Sequence, residues 1–123
     1  MDGSGNKFSD LWEFDGTKWD SITINGANPG PRISAGYAFD SKRNMLVIFS
    51  GYSTDNTINP DTWGWDGKEW KLLAEQGPPK RAMGYMAYDK KRDRIVLFGG
   101  RLGWPNDASD TWEWDSKEWK EVK

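Results

Sequence analysis

The sequence predicts an all-β protein made of repeated four-stranded antiparallel units, with apolar inner strands and amphipathic outer ones. Three observations carry that prediction. A ten-residue segment recurs as Asp10-Leu-Trp-Glu-Phe-Asp-Gly-Thr-Lys-Trp19, Asp61-Thr-Trp-Gly-Trp-Asp-Gly-Lys-Glu-Trp70 and Asp110-Thr-Trp-Glu-Trp-Asp-Ser-Lys-Glu-Trp119, its starts 51 and then 49 residues apart. When Arg32–Lys71 is laid on Arg81–Lys120, 17 of 40 positions are identical without a gap. No stretch sustains an apolar period of 3.6, so almost no helix is expected.

Residues 1–24 read as half a unit, holding the hairpin Asp10–Asp15 and Lys18–Ile22 with a tight-turn Asp15-Gly16 dipeptide between its strands. Residues 25–75 form the first complete unit. Its first strand, Arg32–Asp40, mixes small residues with aromatics, and its second, Met45–Phe49, is a continuous apolar run of the kind buried on both faces. The third, Thr62–Asp66, alternates Trp with other residues and so buries one face. Asp66-Gly67 turns the chain into a fourth strand that starts at Trp70 and soon becomes charged. Residues 76–123 repeat the series: Arg81–Asp89, Arg94–Phe98, Thr111–Asp115, and the Lys-guarded edge strand Trp119–Lys123. A gradient from inner strands apolar on both faces to amphipathic outer strands is what sheets radiating from a common axis demand.

Composition excludes much chemistry. The chain has 17 Lys+Arg against 19 Asp+Glu, a net charge of −2, and no His or Cys among its 123 residues. That balance gives no electrostatic reason to expect nucleic acid or anionic lipid as a partner. Without Cys there is no disulfide, thiolate metal site or Cys nucleophile; without His the commonest general base is missing. No apolar run is long enough to cross a membrane and the N-terminus lacks signal-peptide features, so a soluble chain is expected, its compartment unassigned. No serine-nucleophile elbow or phosphate-cradling glycine loop is present, and nothing fixes a carboxylate pair at the spacing of glycoside hydrolysis. A protein that is not an enzyme and needs no cofactor is therefore expected.

The period near 50, with four strands per unit, resembles the kelch repeat of β-propellers. The residues that carry the resemblance are Arg32 or Arg81 opening strand one, Gly99-Gly100 closing strand two, an aromatic in strand three, and Trp70 or Trp119 in strand four. The sequence departs from the pattern in three ways. Ser50-Gly51 replaces one glycine doublet, strand three carries Phe14, Trp65 or Trp114 where the family more often has Tyr, and that aromatic precedes the strand-four Trp by five residues, not about six. A divergent, bacterial-type branch with a shortened hairpin is implied. The WD-repeat alternative has Trp65-Asp66 and Trp114-Asp115 in its favour but needs a shorter period and a Gly-His that a His-free chain lacks. The resemblance implies a propeller scaffold for protein–protein interaction. Some kelch-like propellers are copper oxidases of sugars, which need the His and Cys ligands missing here, and others are sialic acid mutarotases, which need only placed acids, bases and Arg.

Propellers have roughly 4–8 blades, and this chain encodes two and a half. A homo-oligomer that completes the ring is the expectation, with three chains giving six blades or four giving eight. An isolated two-stranded hairpin and two blades alone would leave large apolar faces in water.

In a propeller the ligand face comes from the connections between strands two and three, here Asp2–Ser9, Tyr52–Pro60 and Arg101–Ser109, and between units, here Asn25–Pro31 and Glu75–Lys80. The 2–3 connections differ entirely between repeats. They supply the candidate ligand-binding residues Tyr52, Asp55 and Asn56 in one unit and Arg101, Trp104, Asn106 and Asp107 in the next. Trp104 alone among nine tryptophans lies outside the repeat; it either stacks on a sugar or peptide or covers a blade edge, and large aromatics favour burial. Arg32 and Arg81 either ring a channel mouth, where guanidiniums would hold a carboxylate, or pair with an Asp of a neighbouring blade; recurrence in each unit favours pairing. Asp10, Asp61 and Asp110 are expected to accept backbone amides in turns, and Asp40 and Asp89 to organise Asp-x-x-Arg turns. Asp55, Asn56 and Asp61, or Asn106, Asp107 and Asp110, carry oxygens of the kind Ca²⁺ takes but in no recognised spacing. The remaining tryptophans (12, 19, 63, 65, 70, 112, 114 and 119) are expected in the core.

Overall fold

The structure is a computed structural model that describes all of residues 1–123. It contains twelve strands and no helix. A hairpin of β1 (Leu11–Phe14) and β2 (Trp19–Ile22) comes first. The first blade is a four-stranded meander of β3 (Gly36–Asp40), β4 (Met45–Phe49), β5 (Thr62–Trp65) and β6 (Trp70–Ala74). The second is built from β7 (Tyr85–Asp89), β8 (Arg94–Phe98), β11 (Thr111–Trp114) and β12 (Trp119–Val122). Between β8 and β11 a small ribbon, β9 (Arg101–Gly103) with β10 (Asn106–Asp107), replaces the irregular connection expected there.

Strand one is shorter at its start than Arg32–Asp40 and Arg81–Asp89 suggest. Ser34 and Met83 sit at φ +57° and +58°, a left-handed conformation that takes the backbone out of the ladder. The residues before them bridge instead to the 2–3 connection, Ile33 to Tyr52 and Ala82 to Arg101. The strand-one to strand-two turns form as Asp-x-x-Arg turns. Asp40 accepts the amides of Lys42 and Arg43 at 3.1 and 3.0 Å, and its other oxygen takes the Arg43 guanidinium at 2.8 Å; Asp89 does the same with Lys91 and Arg92. In the outer hairpins Asp15, Asp66 and Asp115 each accept the two following amide N–H groups that face them, and this ends β5 at Trp65, before Asp66.

The core lies between the two blades. One face of the first blade offers Ala38, Val47 and Phe49; the second answers with Ile95, Leu97, Trp114 and Trp119, all buried. Phe49 and Trp119 meet with ring centroids 5.4 Å apart. Polar groups close the seam. Trp119 Nε1 donates to Thr62 Oγ1 at 2.9 Å, Arg81 N to Ser50 Oγ at 2.8 Å, and Met83 N to the Ser34 carbonyl at 2.8 Å. At the outer end of the inner strands, Asp93 collects Lys42 at 3.0 Å and Arg43 at 2.7 Å from the neighbouring blade, with Tyr88 at 2.9 Å.

Two expectations about burial need correcting. Strand two is fully buried only on the face that meets the other blade: in β4 Val47 and Phe49 are buried and Leu46 and Ile48 half-buried, while in β8 Ile95 and Leu97 are buried and Phe98 is 52% exposed because nothing covers that side of the second blade. Trp12 and Trp19 were expected in the core and are exposed, since β1–β2 has no inner strands to fold onto. Trp63, Trp65, Trp114 and Trp119 are buried as expected, while Trp70 and Trp112 are half-buried.

Candidate functional site

The loop face is framed by two Arg–Asp pairs. Arg32 reaches Asp61 with Nη1 on Oδ1 at 2.8 Å and Nη2 on Oδ2 at 3.3 Å, and it also donates to the Ser50 and Pro29 carbonyls. Arg81 repeats this on Asp110 at 2.5 and 2.9 Å, with the Gly99 and Pro79 carbonyls as its other acceptors. Its side chain is 1% exposed, so the guanidinium is spent on holding loops and not offered to a channel. The pairing alternative is the one realised, but within a blade and not with a neighbour. The aspartates also differ from the expected backbone turn: Asp10, Asp61 and Asp110 accept the indole N–H of Trp12, Trp63 and Trp112 at 2.6–2.7 Å. Arg81, followed by the Trp112 indole, overcomes partial burial and holds the Asp110 carboxyl down at about 2. At Asp61 burial pushes upward, yet Arg32 and Trp63 together leave the carboxyl below its ordinary value.

Above that frame stands the β9–β10 ribbon. Trp104, at its tip, is 83% exposed. It does not cover a blade edge, because Gly99 and Gly100, at φ +66° and +101°, turn the chain outward and the ribbon pairs with itself. The Arg101 guanidinium carbon lies 5.5 Å from the indole centroid, and Arg101 Nε donates to Asp107 Oδ1 at 3.2 Å. Cation, aromatic face and carboxylate are thus brought together, with Asn106 exposed beside them. Below the ribbon, a shallow cavity of about 280 Å³ runs from Arg101 and Asp107 past Gly99 to Met83, Tyr85 and Phe98.

The corresponding connection of the first blade forms a separate, self-contained group. Tyr52 is half-buried and bridges Ile33 and Ile58 through its backbone. Asp55 accepts the Ser53 hydroxyl, the Thr57 amide at 3.0 Å and the Thr57 hydroxyl at 2.7 Å; these bonds, Ser53 foremost, hold it at about 2. Asn56 accepts Lys7 Nζ at 2.6 Å. The carboxylates considered for Ca²⁺ therefore have other partners: Asp55 its neighbouring hydroxyls, Asp61 and Asp110 their arginines, Asp107 Arg101.

Sequence reasoning missed Ser50, Met83, Tyr85 and Phe98. Ser50 is buried and its hydroxyl accepts Arg81 N while donating to Asn59 O. Its place in the Gly-Gly position of the repeat was the available signal. Met83, Tyr85 and Phe98 fall within the expected strands, and only the open side of the second blade makes them cavity walls.

The fold is a sector of a β-propeller: four-stranded antiparallel blades packed face to face with their first strands adjacent, leaving an open arc and not a closed ring. No family model matches the chain, and no curated protein matches it. Among solved structures, the chain is similar to the propeller-type protein of "Structure of YjhT", with a TM-score of 0.65 and 13% identity over 91% of this chain and 37% of that one. At that identity the likeness shows the fold. The chain spans little more than a third of that protein's length.

Proposed function

We propose that this chain is a kelch-type propeller sector acting as a non-catalytic protein-binding scaffold, its ligand face built on the β9–β10 ribbon and its ring completed by self-association. The observation that carries the reading is Trp104: a large aromatic held almost fully in solvent on a two-stranded ribbon that projects from a rigid blade. Exposed aromatics beside Arg are the residues that anchor protein interfaces. Every aspartate whose pKa is displaced is displaced downward, as at Asp55, Asp66 and Asp110. General acids need the opposite shift, which supports a binding role over a catalytic one.

A second reading, carbohydrate binding or modification, is favoured by the same cluster. An indole face bordered by Arg101, Asn106 and Asp107 has the stacking surface and hydrogen-bonding rim that a sugar takes. A glycan array and a peptide library, both followed by intrinsic Trp fluorescence, separate the two. Peptide binding abolished by Trp104→Ala supports the scaffold; sugar-dependent quenching abolished by the same change supports the second reading.

A further inference from the structure

The internal repeat makes the seam between the two blades a template for a seam the chain does not close by itself. The forward face of the first blade carries Gly36, Ala38, Val47, Phe49, Thr62 and Gly64, side by side by strand register. The second blade's forward face carries Tyr85, Ala87, Val96, Phe98, Thr111 and Glu113 in the same places. Four of the six are identical: Ala, Val, Phe and Thr. In the first blade those four are buried by the neighbouring blade. In the second they are half-buried or exposed, although the chemistry suited to a blade interface has been kept.

The rear face of the first blade holds the matching clue. Trp70 is the repeat partner of Trp119, whose indole N–H donates across the seam to Thr62. The Trp70 indole N–H is buried and has no acceptor. The hairpin β1–β2 sits at that rear face, with Leu11 and Ile22 near Leu46 and Trp65. In the repeat, Leu11 occupies the position of Thr62 and Thr111, so this hairpin brings a methyl-ended side chain where the seam requires a hydroxyl. It is also tethered weakly, with no strand pairing to either blade and with Lys7 bonded to the Ser53 carbonyl and Asn56.

We infer that a second copy of this chain docks the forward face of its C-terminal blade on the rear face of the first blade, displacing the β1–β2 hairpin, with Thr111 of one copy accepting the Trp70 indole N–H of the other. This deepens the proposed ring completion and rests on it. Phe98 then packs on Trp70 as Phe49 packs on Trp119. Three forward positions change character from the template; at one, Arg94 stands where Met45 packs against the seam core. Glu113, in place of Gly64, accepts the Arg92 guanidinium at 2.6 Å, which offsets its charge at the seam. Tyr85, in place of Gly36, is 78% exposed and meets Tyr37, which is exposed in the position of Met86. A Cβ on Gly36 would lie 2.7 Å from Met86 Sδ, so within the chain the inner strands interlock. Between copies two tyrosine rings fill that place, and the seam is wider at the axis. The contact is head-to-tail, joining two different surfaces, and so it propagates around a ring.

Sedimentation of the full chain over a wide concentration range tests this. The expected result is association above the 14.1 kDa monomer mass. Phe98→Asp on the forward face of the second blade and Phe39→Asp on the rear face of the first, where Phe39 holds the position of Tyr88, each abolish it, and an equimolar mixture of the two forms a 1:1 dimer and stops there, because each variant retains the one face the other lacks. Thr111→Val weakens association about tenfold, and Thr111→Ser retains it. Asn44 stands where Asp93 stands in the second blade, facing Arg92 of the docked copy; Asn44→Asp should tighten association a few-fold, and added salt should reverse the gain. A wild-type chain that stays monomeric throughout, a mixture that does not dimerise, or Thr111→Val associating like the wild type overturns the proposal. The gain from Asn44→Asp keeps the outcome readable if an Asp variant fails to fold. Ligand binding at Trp104 is measured independently, so a failed dock and a failed ligand site give different results.

Discussion

Arg81 and Asp110 together show what one buried ion pair does in this fold. The guanidinium is closed off from water and finds four acceptor contacts among Asp110, Gly99 and Pro79, so its charge is fully compensated only while every partner is present. Arg81→Met strips two carbonyls of this donor and leaves the Asp110 carboxylate without its counter-charge, held only by the Trp112 indole N–H; the expected loss is about 3 kcal/mol in urea unfolding. Arg92, on an exposed pair with Glu113, is expected to have little effect when changed to Met. Acid dependence follows from the same site. Because the folded carboxyl of Asp110 titrates at about 2, below its ordinary 3.8, its contribution is present above pH about 4 and is lost as pH falls toward about 2. Thermal melts between pH 2 and pH 5 should show this, and Asp110→Asn should flatten the slope while lowering stability across the range. The pairing of a recurrent Arg with a recurrent Asp was legible in the repeat. Which blade supplied the Asp was not, since partners 29 residues apart in sequence are set by how β3 and β7 are entered, not by the pattern of residue types.

At the scale of elements, the turns decide more than the strands. Residue 116 is Ser at φ +77° where the two earlier hairpins have Gly16 and Gly67 at φ +99° and +96°. Ser116→Gly should therefore raise stability by about 0.5–1 kcal/mol, read as a higher midpoint in denaturant, because it removes left-handed strain from an L-residue. Gly100 gives the opposite case. A Cβ there would lie 2.8 Å from the Ala82 carbonyl and 2.9 Å from Gly84 N, at φ +101°. Gly100→Ala should cost about 2 kcal/mol or more and, since Gly100 launches the β9–β10 ribbon, alter Trp104 fluorescence as well. The turn dipeptides and apolar runs made these elements readable along the chain. The ribbon was not readable, because Arg101–Asp107 has neither alternation nor a turn dipeptide, and its pairing depends on where Gly99 and Gly100 point it.

For the whole molecule, the open arc is the consequential feature. Trp104→Ala should leave the melting temperature within a degree or so of the wild type while removing ligand binding, because a solvent-exposed indole at a ribbon tip contributes contacts outward and few inward. The all-β class, the four-strand unit and its repetition are legible along the chain, because strand period, turn chemistry and self-similarity are local properties. Tertiary structure alone decided which tryptophans are core. Trp19 and Trp119 hold the same place in equivalent hairpins, yet one is exposed and the other buried. It also decided that Trp104 stands free, that Arg32 and Arg81 turn inward, and that the Trp70 indole lacks an acceptor. Burial is a property of the neighbour, and a residue's own sequence context does not record whether a neighbouring blade is there.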